Sequence, residues 1–128
     1  MSHQIIGGQL RLADGKALPL SKGVRAGDLV LLSGQLGLDS TGKLAGADIE
    51  TQTRQALENV TQILREAGCT LGHVIKATVW LTDREHFARF NAVYASYFPA
   101  SPPVRSTVVS GLVLAGALVE IEVMAYAP

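Results

Sequence analysis

Twice along this chain the apolar residues fall into helical spacing, and the segments around them read as strands and turns. In the first, Ile49, Thr53, Ala56, Leu57, Val60, Ile63, Leu64 and Ala67 recur three or four residues apart and make one face. Arg54, Glu58, Gln62 and Arg65 take the wet side, Asp48 or Ala47 opens the helix, and Gly68 stops it. In the second, Phe87, Phe90, Val93 or Tyr94, and Phe98 make the inner face, with Asp83 placed to cap it and Pro99 and Pro102-Pro103 to end it.

Strand signals surround these helices. Ile5–Ala13 reads as a strand interrupted by Gly7-Gly8, followed by the Asp14-Gly15 turn and an extended or looped Leu18–Gly23. Leu29–Gln35 is apolar enough for a buried strand. His73–Leu81 sets Ile75, Ala77, Val79 and Leu81 against Val74, Lys76, Thr78 and Trp80, and two closing strands end the chain. The fold class expected is α+β: one domain over residues 1–128, a mixed β-sheet with two helices packed on one face. The sheet's other face then needs a cover, which points to an oligomer.

The last two strands hold the most suggestive pair of side chains, Arg105 and Glu120. A hairpin centred in Gly111–Gly116 pairs residues whose numbers sum to about 225 or 227. Either register leaves Arg105 and Glu120 on one face, and a slip by one residue separates them. A guanidinium forks onto a planar carboxylate, and a carboxylate can take a proton from water. The competing reading is a cross-strand ion pair worth about 0.2–1 kcal/mol.

Bulk properties narrow the classes. With 128 residues and eleven charges of each sign, the chain lacks the basic excess of a nucleic-acid binder. A single cysteine, Cys69, excludes an internal disulfide and fits a reducing compartment. No apolar run nears the ~20 residues of a membrane span and the first residues lack the build of a signal peptide, so a cytoplasmic location is expected. His3, His73 and His86 are scattered without ligand spacing, and Cys69 has no histidine partner in a recognisable motif.

The segments Leu29–Gln35, Thr51–Val60, Phe90–Phe98, Pro103-Val104-Arg105-Ser106-Thr107 and Val119-Glu120-Ile121-Glu122-Val123 together resemble the RidA (YjgF/UK114, L-PSP) family, collinearly and over nearly the whole chain. The resemblance implies a chorismate-mutase-like fold, a homotrimer with a barrel-like centre, and an enamine/imine deaminase. Such an enzyme hydrolyses 2-aminoacrylate or 2-iminopropanoate to a 2-oxo acid and ammonia, with no metal or organic cofactor. It assigns Arg105 to the substrate carboxylate and Glu120 to the attacking water. Thr107, Asn91, Gly34 and Ser33 are the expected substrate-binding residues. For Asn91 a hydrogen bond to a nearby loop is an equal alternative, and for Ser33 and Gly34 simple sheet packing. Lys22 reads better as a solvated loop lysine; Glu122, on the parity of Glu120, can raise the pKa of one of the two carboxylates, or is equally an exposed strand residue.

Two positions depart from the family pattern. Leu20 stands where active members carry a tyrosine, and Thr107 stands where a cysteine is frequent. The second change keeps a hydroxyl of similar size; the first removes a phenol. Two other functions therefore stay in view: a non-catalytic binder of small carboxylates, which Leu20 suits, and the endoribonuclease or translation-inhibitor activity attached to some family labels. Zero net charge and the absence of an acid–base histidine pair speak against the latter.

Overall fold

The computed structural model describes residues 3–128. The chain runs β1 (Gln4–Arg11), β2 (Ala17–Ala26), β3 (Leu29–Leu32), β4 (Gln35–Leu36), α1 (Ile49–Glu66), β5 (Val74–Leu81), α2 (Phe87–Tyr97), β6 (Val104–Val109) and β7 (Val119–Tyr126). The strands form one mixed sheet in the order β1-β2-β3-β7-β5-β6, and β4 adds to β7. Both helices lie on one face, so the expected α+β class holds.

Local signals explain the first helix. Asp48 accepts the Thr51 N–H at 2.9 Å, satisfying one of the otherwise unpaired donors of the first turn. Gly68, at φ +75°, ends the helix in a conformation that costs a glycine little. Between these ends, Ile49, Ala56, Leu57, Val60, Ile63 and Leu64 are buried and meet Val30, Leu32, Ala77, Val79, Ile121 and Val123 from the sheet. Each fully buried Leu, Ile or Val contributes roughly 1.5–3 kcal/mol, so this face, rather than helix propensity, holds α1 in place.

Several local expectations need correction. Of the two readings of Leu18–Gly23 the extended one holds, as the interior of β2, and the β1 pairing with it carries two register shifts on either side of Gln9. Leu29–Gln35 is two strands, not one, because the chain breaks at Ser33-Gly34. A register shift between Val74 and Lys76 buries Val74 and turns Ile75 outward, 45% exposed, against the simple alternation. Asp83 accepts from Glu85 N at 2.9 Å and so caps a 3-10 turn, Arg84–His86, which leads into α2.

The largest correction concerns the end of the chain. β6 and β7 do not form a hairpin, because β5 lies between them, parallel to β6 and antiparallel to β7. Their connection skips one strand. Ala77 aligns with Arg105 on one side and Val123 on the other, whereas Trp80 aligns with Val108 and Glu120. Ala77 and Trp80 are an odd number of residues apart, so Arg105 and Glu120 project from opposite faces of the sheet. Arg105, with Thr107, shares the helix-covered face.

The other face carries Glu120, Glu122 and a set of outward apolar residues. Ile5, Leu29, Leu31, Val104, Val108 and Tyr126 on it are between 37% and 66% exposed. This is the uncovered face that the one-sided helix packing predicts.

Candidate functional site

Arg105 is half-buried at the helix-covered edge of the sheet, beneath α2. Its Cζ lies 4.8 Å from the ring centroid of Tyr94, 5.4 Å from that of Phe90 and 5.8 Å from that of Phe87. Among the described residues the guanidinium makes no hydrogen bond and no ion pair, and the one salt bridge joins Arg89 to Glu50. A cross-strand Arg105–Glu120 pair is therefore excluded by the strand order. An unpaired guanidinium that has given up part of its water is ready to take a carboxylate or phosphate. Thr107 follows on the same face, half-buried beside Val79. Asn91 is half-buried on α2, one residue after Phe90, which is fully buried.

A second cluster forms around Glu120. Gly34 lies against its side chain so closely that a Cβ at Gly34 would fall 2.0 Å from Glu120 Oε2 and 2.8 Å from Cδ. The close backbone approach that the glycine permits positions the carboxylate. Ser33 Oγ donates to Ser21 O at 2.6 Å, tying the break between β3 and β4 to β2. Burial pushes the Glu120 pKa up, and the neighbouring Glu122 pushes it further. Gly34→Ala is expected to displace the Glu120 carboxylate while leaving the fold intact, at about 1–3 kcal/mol. Urea unfolding and a titration of Glu120 by NMR check this: an unchanged Glu120 pKa would mean that the contact is not what places the side chain.

The structure thus assembles Arg105 and Thr107 in one place, and Glu120, Gly34 and Ser33 in another. Neither cleft near them gathers the whole set. One, of about 620 Å³, lies between the β1–β2 pair and α1 and takes Gly34 and Lys22 among its walls. Another, of about 500 Å³, borders Ser33 and Glu122 on the open face. The sequence shows the aromatic surround of Arg105 only as helix core. Its signal was the spacing of Phe87, Phe90 and Tyr94, but the parallel pairing of β6 with β5 is what brings Arg105 beneath them.

Other candidates have local duties. His73 Nδ1 accepts the Thr70 N–H at 2.9 Å in a capping box. Cys69 Sγ lies 3.6 Å from Arg25 Nη2, whose guanidinium also donates to Ala67 O and Ala127 O and so ties the end of α1 to the C-terminal segment. Among the described residues no three of His, Cys, Asp and Glu gather as a metal site would require, and no helix is long and apolar enough to cross a membrane.

Comparison with known proteins places this architecture. A RutC family protein of Pyrococcus horikoshii is 44% identical over 109 residues, covering 84% of this chain and 86% of its own. The mouse 2-iminobutanoate/2-iminopropanoate deaminase is 38% identical over 108 residues, covering 84% and 80%. Among solved structures, Escherichia coli TdcF with bound serine superposes with a TM-score of 0.87 at 36% identity, covering 98% of this chain and 99% of that one. RidA from the Antarctic bacterium Psychrobacter gives 0.86 at 33%, covering 96% and 98%. The sequence profile described as endoribonuclease L-PSP matches residues 13–127, which includes both clusters and the strand order that separates them. With the shared fold and this extent of identity, the chain belongs to the L-PSP family, that of RidA and YjgF.

Proposed function

We propose that this protein is an enamine/imine deaminase that hydrolyses 2-aminoacrylate- and 2-iminopropanoate-type acids to 2-oxo acids and ammonia. The observation that carries the reading is Arg105: a half-buried guanidinium with no ion-pair or hydrogen-bond partner among the described residues, on a strand face with a hydroxyl two residues on. Relatives named as deaminases of 2-iminobutanoate and 2-iminopropanoate share about two-fifths of the aligned residues.

The chemistry follows from the groups. Arg105 holds the carboxylate bidentately, and Thr107 offers a hydroxyl to the same end of the substrate. An enamine substrate first takes a proton from solvent at C3 and so becomes the iminium; water then adds to the C=N carbon as Glu120 takes its proton, giving a carbinolamine. Returning that proton to the nitrogen makes it an ammonium leaving group; ammonia departs as the hydroxyl oxygen closes to the 2-oxo group and gives its own proton back to the Glu120 carboxylate. An iminium is already electrophilic, so proton movement at Glu120 is the main demand on the protein. Ser33, Gly34 and Asn91 are the proposed walls.

Because Arg105 and Glu120 leave opposite faces of one sheet, a single small substrate meets both only where two copies adjoin. We therefore assign the working unit to an oligomer whose contacts are made by the apolar open face, and take it to be the homotrimer that the family resemblance implies. Sedimentation showing a monomer that still turns over imine would overturn that assignment.

Glu120 also predicts a pH effect. Its folded pKa lies above its unfolded value, so the charged carboxylate disfavours the fold. That penalty is absent below the unfolded pKa and complete once pH has risen through the folded one. Near neutral pH, Glu120→Gln is expected to melt no lower than wild type while losing most imine hydrolysis. In the wild-type rate profile the acidic limb stands above the ordinary glutamate range, and Glu122→Gln moves it down. A limb that Glu122→Gln leaves in place would remove Glu120 as its source.

A non-catalytic binder of small carboxylates is the alternative that Leu20 favours, since no phenol stands at that half-buried position. Saturable binding of 2-oxo acids with no ammonia release from any imine would establish it. The family's endoribonuclease label finds little in a chain of zero formal charge and predicts steeply salt-dependent RNA binding instead.

A further inference from the structure

A lone arginine at a binding site is usually oriented by an acidic neighbour, which also occupies the N–H groups that the ligand needs. Arg105 has no such neighbour among the described residues. What it has instead is three aromatic rings, each with its centroid within 6 Å of Cζ, the range over which a ring face attracts a cation. We propose that Phe87, Phe90 and Tyr94 form an aromatic seat that orients the Arg105 guanidinium by its flat face and leaves its N–H edge free for an anionic ligand, with Tyr94 as the principal positioning residue. The consequence for ligand binding rests on the carboxylate reading above; the seat itself does not.

The seat is rigid because it is part of the core. Phe90 is 0% and Tyr94 5% exposed, and the Tyr94 ring packs 5.4 Å from Phe90 and 4.7 Å from Phe98, centroid to centroid. All three seat residues come from α2 at positions three and four apart, so one helix face presents them together. Tyr94 Oη is buried and has no hydrogen-bond partner among the described residues. The ring face rather than the hydroxyl therefore makes the contact with Arg105, and burial raises the phenol pKa, so the ring stays neutral across the physiological range. Phe87 remains 44% exposed at the rim, where it screens one side of the guanidinium without closing the site.

The seat separates π character from size. Tyr94→Phe keeps a ring, whereas Tyr94→Leu keeps an apolar group of lesser bulk without one. The first readout is the Arg105 Nε–H resonance, assigned by its disappearance in Arg105→Lys; a ring face shields it upfield. The second is the affinity for 2-oxobutanoate, used as a carboxylate probe. Tyr94→Phe is expected to keep both. In folded Tyr94→Leu the resonance is expected to move downfield and the probe to bind about tenfold more weakly, the size a desolvated cation–ring contact can carry. Turnover, where present, should lose through KM rather than kcat.

Phe87→Leu, at an exposed position, covers the case in which Tyr94→Leu does not fold, and should give the same two changes at about threefold. An unshifted resonance and unchanged binding in whichever leucine variant folds would overturn the seat. A wild type that neither hydrolyses imines nor binds the probe, yet loses the upfield shift in the leucine variant, would sustain the seat and overturn the deaminase reading.

Discussion

Arg105→Ala is expected to lower the rate of 2-oxo acid release from 2-aminoacrylate by about two orders of magnitude or more in kcat/KM. Breaking a charge-assisted, desolvated bidentate contact costs about 2–5 kcal/mol, and each 1.4 kcal/mol is about a factor of ten. The side chain is in no ion pair among the described residues, so its removal breaks no salt bridge among them. The variant should therefore fold, which makes the rate interpretable. The assay generates the enamine in situ with a pyridoxal-phosphate lyase and compares 2-oxo acid release with and without the protein. Arg105→Lys is expected to recover only part of the rate, since an ammonium keeps the charge without the planar fork. Wild-type acceleration that survives Arg105→Ala would move the carboxylate site elsewhere. No acceleration by folded wild type across several parent amino acids would leave the carboxylate-binding alternative, with Leu20 as its first cause.

The second large effect is on stability and lies away from both clusters. Gln52 is completely buried on α1, with Nε2 donating to Gly46 O at 2.9 Å and Gly116 O at 3.0 Å and Oε1 accepting from Leu118 N at 2.8 Å. One side chain thus satisfies three backbone groups, from the loop before α1 and the segment that leads into β7. Gly37 lies against the backbone at the same point: a Cβ there would come within 2.7 Å of Gln52 O. Gln52→Leu fills the same space but leaves the three backbone groups without partners. Each buried orphan costs about 1–3 kcal/mol; with some relaxation and water entry, the expected loss is about 3–5 kcal/mol, a large part of an ordinary domain's stability. A shift of the urea midpoint with an unchanged slope would read it out. A loss below about 1 kcal/mol would show that the two loops find other partners without strain. Since β7 carries Glu120, amide exchange in Leu118–Glu120 should speed up first.

Parts of this structure are legible in the sequence alone. The apolar face of α1, its Asp48 cap and its Gly68 stop are local facts, set by side-chain spacing and by hydrogen bonds within one turn. The same is true of the inner face of α2 and of the parity that places Glu120 beside Glu122. One-sided helix packing and an apolar open sheet face follow from these patterns too, because a face that is polar on one side of a helix leaves only the other to bury. The family resemblance rested on residues that can be read in order along the chain, and its conclusions on fold did not depend on any pairing.

Strand order was another matter. A short loop between two β segments favours a hairpin, and that default put Arg105 opposite Glu120. Instead β5, from a different part of the chain, takes the place between them: it buries Ala77, Val79 and Leu81 under the helices and pairs with a strand on each side. That choice is made by long-range burial and ladder hydrogen bonds, which leave no local trace in the residues of β6 and β7. It is also what reverses the relation of the two key side chains, since inserting one strand changes which residues align, and a shift by an odd number moves a side chain through the sheet. The residue types suited to carboxylate binding and proton transfer were determined by the sequence; that Arg105 sits under three aromatic rings while Glu120 faces the open side was decided only when the whole sheet closed around its core.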